Sequence, residues 1–474
     1  MEARTHIALV SIPALSHQVS ILEFAKRLVH LHQDNFQVTC IIPTLSNSPT
    51  IASKPFFNAL PTSIQCIFLP PVNVKNGNDP LETQLQIAIS DAMPSVREAL
   101  RSLASSSKVV ALVVDAFAHE AMEFGKELNM LSYIYFPCSI MMLSLGLHSS
   151  KLDETVSCEY RDHPQPIEIP GCISVHGKDL PNSIQNRSSP AYKFYLRRCQ
   201  QLHITDGILV NSFTEMEPEA MKAISQNGNG APQVHPIGPI TQTWSNNNKN
   251  CSECLLWLGQ QPPKSVLYVS FGSGGTLSQD QINELALGLE LSRKKFLWVN
   301  VRAPNDSATA SYLSDDNELS DPLQFLPPGF LERTKGQGFV MSGWAPQSAI
   351  LSHGSIGAFL THCGWNSILE SVVHGVPMIA WPLFAEQRLN AALVTDGLKI
   401  ALRVKIGGNG VVVKEEIVGL VKGVMEGLDG GEIWKRVKEL QGFAACAMME
   451  DGSSTKTLSK LAIKWKSLGT ITQD

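Results

Sequence analysis

The stretch WAPQSAILSHGSIGAFLTHCGWNSILESVVHGVPMIAWPLFAEQ, Trp344 to Gln387, decides the architecture. Within it, Ile356 to Leu360 is an apolar run of strand character, THCGWNS (Thr361 to Ser367) is a turn, and a helical pattern runs from Asn366 to His374. A second apolar run, VPMIAWP (Val376 to Pro382), follows. An apolar strand that feeds a glycine turn, a helix and another apolar strand is one unit of a parallel α/β sheet. The turn also has chemical meaning. Gly364 allows close backbone approach, Asn366 and Ser367 are capping residue types, and the opening helix turns its positive dipole end to an anion. A diphosphate fits such a turn.

The same alternation runs outward through the chain. In the first half HIALVSI (His6 to Ile12) precedes an amphipathic helix from about Val19 to Leu31. Then come QVTCIIP (Gln37 to Pro43), VVALVVDAF (Val109 to Phe117), LSYIYFP (Leu131 to Pro137) and GILVNS (Gly207 to Ser212). After HPIGPIT (His235 to Thr241), the polar, asparagine-rich run Thr243 to Asn250 has no period and reads as a linker. The alternation restarts with SVLYVSFG (Ser265 to Gly272), a helix over Gln279 to Leu291, and strands KFLWVNV (Lys295 to Val301) and GFVMS (Gly338 to Ser342). Glu432 to Met449 and Ser453 to Trp465 read as helices. The expectation is α/β: two doubly wound domains facing each other across a cleft, with ligands at the carboxyl ends of the strands. The expected bounds are 1–242, a linker 243–252, 253–455 and a final helix 456–474.

Composition narrows the function. A chain of 474 residues with 43% apolar and 17% charged residues reads as globular and multidomain. A formal charge of -5 gives no basic field for nucleic acid. The N-terminus lacks a signal-peptide layout, and no run of about 18 apolar residues suggests a membrane span, so the expectation is a cytoplasmic protein. Ten cysteines in such a chain read as reduced, buried thiols. Cys251 and Cys254 form a C-x-x-C with no second pair, and Asn186 and Asn305 are sequons idle without secretion. The polar segment Ala303 to Ser320 reads as a surface loop, its acids Asp315, Asp316 and Glu318 being solvated rather than metal-bound.

Two residues of the first half pair chemically. His17 follows the first strand, in the turn PALSHQVS, where by itself it reads either as a polar turn residue or helix cap or as an imidazole base able to take a proton from a hydroxyl. Asp115 ends VVALVVD on the same sheet edge, placed to accept the other ring N–H and to hold the tautomer. In the second half Trp344 offers a flat indole for a base, and Glu370, one helical turn after Asn366, offers a carboxylate for ribose hydroxyls.

The Trp344–Gln387 stretch resembles the signature box of the plant UDP-dependent glycosyltransferases, an inverting family with the GT-B fold. WLGQQPPKSVLYVSFGSGGTLS (Trp257 to Ser278), DPLQFLPPGFLERT (Asp321 to Thr334) and KLDETVSCEYRD (Lys151 to Asp162) resemble its branch acting on phenols, hydroquinone and monolignols. The resemblance implies His17 as base and Asp115 as its supporting acid. It implies Trp344, Ala345 and Gln347 on uracil and ribose, with Glu370 on ribose. His362, Gly364, Asn366, Ser367 and Ser273 fall to the diphosphate, and Trp365, Glu386 and Gln387 to the sugar. The final glutamine is similar to that of glucose users. UDP-glucose is then the donor substrate, a small phenol the acceptor, and no cofactor or metal is needed. The acceptor is expected on the N-terminal side, against the apolar stretch Cys138 to Leu147 with Ile140, Met141 and Leu145, and with Phe117 and Phe384 as aromatic faces. The final helix is expected to cross back onto the N-terminal domain of a monomer.

The chain also departs from the family. Around the histidine, relatives read GHLIP where this chain has Ser16 to Ser20, SHQVS, and Phe384 stands where tyrosine is common. Three other readings remain open at this point. One is transfer to an aromatic carbon. Another is a nicotinamide oxidoreductase, disfavoured because Leu277 stands where GxGxxG needs its third glycine. The third is a silent nucleotide-sugar binder.

Overall fold

The computed structural model describes residues 4–32, 35–45, 54–72, 79–226, 232–243, 249–310, 312, 321–426 and 428–470. Two compact units emerge: Met1–Gln242 with Ala444–Asp474, and Thr243–Phe443. The acidic cluster Asp315 to Glu318 and residues 244–248 of the asparagine-rich run lie outside the described residues.

The first unit holds a seven-stranded sheet. Its strands are β1 (Thr5–Val10), β2 (Phe36–Thr44), β3 (Ile64–Pro71), β4 (Val109–Asp115), β5 (Leu131–Phe136), β6 (Gly207–Val210) and β7 (Val234–Pro236). Their order is β3-β2-β1-β4-β5-β6-β7, every pair parallel. β1 and β4 are buried along their whole length, which explains their unbroken apolar sequence. β3 lies at the edge and buries only Ile64 and Leu69, with Ile67 and Phe68 exposed. Strand order reverses between β1 and β4, so the segments that follow these two strands leave the same sheet end side by side.

The second unit repeats the plan with β8 (Val266–Ser270), β9 (Lys295–Trp298), β10 (Gly338–Val340), β11 (Ile356–Thr361), β12 (Met378–Ala380) and β13 (Ala401–Arg403). Their order is β10-β9-β8-β11-β12-β13, again parallel throughout. Leu267, Val269, Phe296 and Leu360 of this sheet pack with Leu285 and Leu289 of the helix Gln279–Ser292 and with Val421 of the helix Lys414–Glu426. Here the reversal lies between β8 and β11, below the turns that begin at Phe271 and His362.

Three local expectations are corrected. His17 lies not in a turn but in the first turn of a helix, Leu15–Leu31, because SHQVS contains neither glycine nor proline to delay its start. The strand expected over Lys295 to Val301 ends at Trp298, since Asn300 takes a left-handed φ of 54°. The helix of the signature stretch starts at Trp365 rather than Asn366, and its cap is Gly364, so Asn366 and Ser367 sit inside the first turn. Among the described residues no helix is long and apolar enough to cross a membrane.

Candidate active site

At the switch point of the first sheet, His17 N donates to Ala14 O at 3.0 Å, which fixes the imidazole in the first helical turn. Its Nδ1 lies 2.7 Å from Asp115 Oδ2, with 20% of the histidine side chain and none of the aspartate exposed. Asp115 Oδ1 accepts from Phe117 N at 3.0 Å. One carboxylate oxygen is therefore held by the turn after β4 while the other faces the ring. An ionised carboxylate only accepts, so it keeps the proton on Nδ1 and leaves Nε2 as the basic nitrogen. The Phe117 ring meets the His17 ring edge-on, centroids 5.9 Å apart and planes at 85°.

The altered SHQVS segment is secured by side chains. Gln18 Nε2 donates to Ile12 O at 3.0 Å, tying the helix back to the end of the first strand segment. Ser20 Oγ lies 2.8 Å from the Tyr135 hydroxyl, which donates to Ser20 O at 3.1 Å. Both residues are buried, and burial pushes the Tyr135 hydroxyl well above the usual phenol range. Two buried hydrogen bonds thus hold Ser20 in the second turn of the helix.

In the second unit, the turns after β8 and β11 approach each other. Gly272 has a φ of +76°, and a Cβ there would fall 2.6 Å from the His362 ring. A Cβ on Gly364 would fall 2.5 Å from His362 Nε2. Only glycine fits on either side of this imidazole. Desolvation pushes the His362 ring down to about 4, so it is a neutral hydrogen-bonding group at neutral pH, and its Nδ1 has no partner among the described residues. Ser273 is exposed at the tip of the first turn, and its carbonyl accepts from Arg302 Nη2 at 2.6 Å.

Gln347 opens the helix Gln347–Leu351 and gathers the ribose candidates. Its Nε2 donates to Ser367 Oγ at 2.9 Å and to Glu370 Oε2 at 2.7 Å, while its Oε1 accepts from the Tyr268 hydroxyl at 3.3 Å. Ala345 is buried and Trp344 half-buried just after β10. Trp365 is buried at 3% exposure, and Asn366 is half-buried. Cys363 and Ala385 hold left-handed φ angles of 65° and 53°, directly before Gly364 and Glu386. Such conformations cost about 1 kcal/mol or more each and gather at ligand sites.

The sugar candidates are fixed by the loop after β12. Gln387 Oε1 accepts from Leu383 N at 2.8 Å and Phe384 N at 3.0 Å, which orients its NH2 group. Glu386 Oε1 lies 3.4 Å from Asn390 Nδ2, and that amide also donates to Cys363 O at 3.0 Å. Asn390 therefore ties the phosphate turn to the sugar loop. It was invisible in the sequence, where an asparagine in LNAALV reads as an ordinary helix residue; the one signal is its spacing of four from Glu386.

The acceptor candidates divide. Phe117 is half-buried beside His17, whereas Ile140, Met141 and Leu145 are buried at 0%, 1% and 0% exposure. Within the same helix Met142 and Leu147 are the half-buried apolar members. Its N-terminus is set by Glu217, whose carboxylate accepts from Ile140 N at 2.9 Å and Met141 N at 2.8 Å. Phe384 is buried in the second unit and edge-on to Tyr312 at 5.8 Å. Sequence reading also missed Tyr268, Asn300 and Arg302, whose polar ends hold Gln347, Gly272 O and Ser273 O. Among the described residues no group of three or more His, Cys, Asp or Glu could hold a metal ion.

Residues 232–417 match the family described as UDP-glucoronosyl and UDP-glucosyl transferase. Hydroquinone glucosyltransferase of Rauvolfia serpentina is 49% identical over 469 residues, covering 98% of this chain and 99% of the relative. Among solved structures, Phytolacca americana UGT2 complexed with UDP-2fluoro-glucose and pterostilbene is 42% identical, with a TM-score of 0.89 over 97% of this chain and 99% of that one. A UDP-glucosyltransferase from Polygonum tinctorium capable of glucosylating indoxyl, in complex with 3,4-dichloroaniline, is 42% identical, with a TM-score of 0.90 over 98% and 100%. Identity at this level along nearly the full length, with two parallel sheets of matching topology, places the chain in the UDP-glucoronosyl and UDP-glucosyl transferase family, as a GT-B glycosyltransferase.

Proposed function

We propose that the protein transfers glucose from UDP-glucose to a hydroxyl of a small phenolic acceptor, inverting the anomeric carbon to give a β-O-glucoside. The observation that carries this reading is the 2.7 Å hydrogen bond between His17 Nδ1 and the buried Asp115 carboxylate. The donor and acceptor classes are supported by the relatives, whose names and descriptions include hydroquinone, pterostilbene, UDP-2fluoro-glucose and indoxyl.

In the proposed reaction His17 Nε2 takes the phenolic proton as the acceptor oxygen attacks the anomeric carbon. The bond from that carbon to the UDP oxygen breaks as the new one forms, so an α donor yields a β product. Asp115 stabilises the imidazolium that results. Trp344 stacks on uracil, Ala345 and Gln347 hold uracil and ribose, and Glu370 accepts from ribose hydroxyls. His362, Gly364, Asn366, Ser367 and Ser273 surround the diphosphate. Being neutral, His362 contributes an N–H rather than a charge, and the dipole of the helix Trp365–His374 meets the developing negative charge. Glu386, Gln387 and Trp365 hold the glucose, with the NH2 of Gln387 as the donor end. Phe117 forms the acceptor wall nearest the base, with Ile140, Met141 and Leu145 behind. On this reading the enzyme works as a cytoplasmic monomer that requires no metal ion.

The test is incubation with UDP-glucose and a panel of phenols, flavonols and monolignols, with and without a chelator. Product mass, anomeric configuration by NMR and acid hydrolysis are then read. A chelator-insensitive gain of one β-linked, acid-labile hexose is expected. An acid-stable hexose adduct would reassign the reaction to an aromatic carbon, and absence of hexose transfer to every phenol tried would overturn the proposal.

A further inference from the structure

Arg198 lies on the helix Pro190–Gln201 and is half-buried. Its guanidinium carbon sits 4.0 Å from the centroid of the Phe117 ring, at stacking distance. Its Nη1 reaches Gln86 Oε1 at 3.5 Å, and Gln86 Nε2 donates to Phe117 O at 3.3 Å. Phe117 is thus held by Arg198 at its ring, by Gln86 at its carbonyl and by Asp115 at its N–H, while its edge abuts His17.

The guanidinium is itself anchored by a series of contacts. Its carbon lies 5.9 Å from the Tyr195 ring, and Tyr195 stacks on Tyr192 with centroids 6.3 Å apart. The Tyr192 hydroxyl donates to Asp153 Oδ1 at 2.6 Å and lies 2.9 Å from the Tyr160 hydroxyl. Arg187 covers the Tyr160 ring at 5.1 Å. The charged and titratable groups around Arg198 are Glu82, Asp115, Tyr195 and Cys199, and its own charge bears on His119. The two ring contacts keep the guanidinium within about one Debye length of the His17 imidazole.

We propose that Arg198 is a positioning residue for transfer: stacked on Phe117, it sets the ring against which His17 is aligned, and it places a positive charge near that imidazole. This rests on His17 acting as the base. A flat guanidinium supplies a stacking face that an ammonium lacks, whereas both supply charge, so the two contributions separate by substitution.

The test compares Arg198→Lys, Arg198→Gln, Phe117→Leu and the Arg198→Lys/Phe117→Leu double variant with His17→Ala in the full chain. Arg198→Lys is expected to lower kcat about tenfold with KM for UDP-glucose unchanged and the acid limb of kcat/KM in place. Arg198→Gln is expected to lower kcat at least as far and to move that limb to higher pH by about half to one unit, because a nearby cation opposes protonation of an imidazole. On the Phe117→Leu background, Arg198→Lys should lower kcat by no more than about twofold further, the mark of a shared contact. Calorimetric UDP affinity checks folding; should the Gln variant lose it, the Lys variant and the double variant carry the test. Wild-type kcat and pH profile in the folded Arg198 variants, or fully additive losses with Phe117→Leu, overturn the role of Arg198 while leaving the base in place if His17→Ala is inactive. Full transfer by His17→Ala instead overturns the base assignment and this inference with it.

Discussion

His362, half-buried with its ring between Gly272 and Gly364, shows the electrostatic consequence of partial desolvation. Its ring falls from an ordinary value of 6.5 to about 4 through burial. Between those values the unfolded chain binds a proton that the folded chain refuses. The stability contribution is therefore complete above about pH 6.5 and is lost as pH falls toward about 4, by at most about 3 kcal/mol. Urea midpoints measured from pH 7 to pH 4 should fall, and His362→Asn should flatten part of that fall; an identical pH dependence in the variant would contradict the account. Gly364 was legible as a close-approach glycine, whereas Gly272, which meets the other side of the His362 ring, was not. The left-handed Cys363 and Ala385 were not, because no side-chain property marks a non-glycine residue that its surroundings force into that region.

The elements that present these residues read more or less clearly according to how they are buried. β1, β4 and β11 are buried on every residue and stand out as apolar runs. β3 lies at an edge and buries only Ile64 and Leu69, and the helix Leu81–Ser106 carries Pro94 inside it, so neither announces itself in sequence. The helix Leu15–Leu31 begins earlier than its apolar period shows, because its first turn carries the polar residues Ser16 to Gln18, and Gln18 and Ser20 secure it through side-chain hydrogen bonds. The helix Gln347–Leu351 works through a single side chain, whose amide reaches Ser367 and Glu370. Gln347→Ala leaves the Glu370 carboxylate without that donor and is expected to raise KM for UDP-glucose about tenfold with kcat within about threefold, as a loss of uniform binding. Steady-state kinetics with saturating acceptor check this, and an unchanged KM would remove Gln347 from the donor site.

For the whole molecule, the α/β alternation was readable from end to end, and the return of the final helix to the first unit was expected from the family resemblance, while the side chains that seat it were not, since they join residues hundreds of positions apart. Trp465, on the helix Ser453–Thr470, is fully buried against Phe36 and Tyr133 of the first sheet, at ring distances of 6.4 and 5.4 Å. Trp465→Ala should cost about 3–5 kcal/mol, and Trp465→Phe less. Chemical denaturation of the full chain measures both, and an alanine variant as stable as wild type would show that this helix is dispensable. The most direct measurement is single-turnover glucose transfer from UDP-glucose to a phenol, alongside calorimetric UDP affinity, for wild type, His17→Ala and Asp115→Asn. The account predicts transfer reduced by about 10³-fold or more in the first variant and about 10²-fold or more in the second, with UDP affinity within about twofold of wild type in both. Transfer at the wild-type rate by His17→Ala would contradict it.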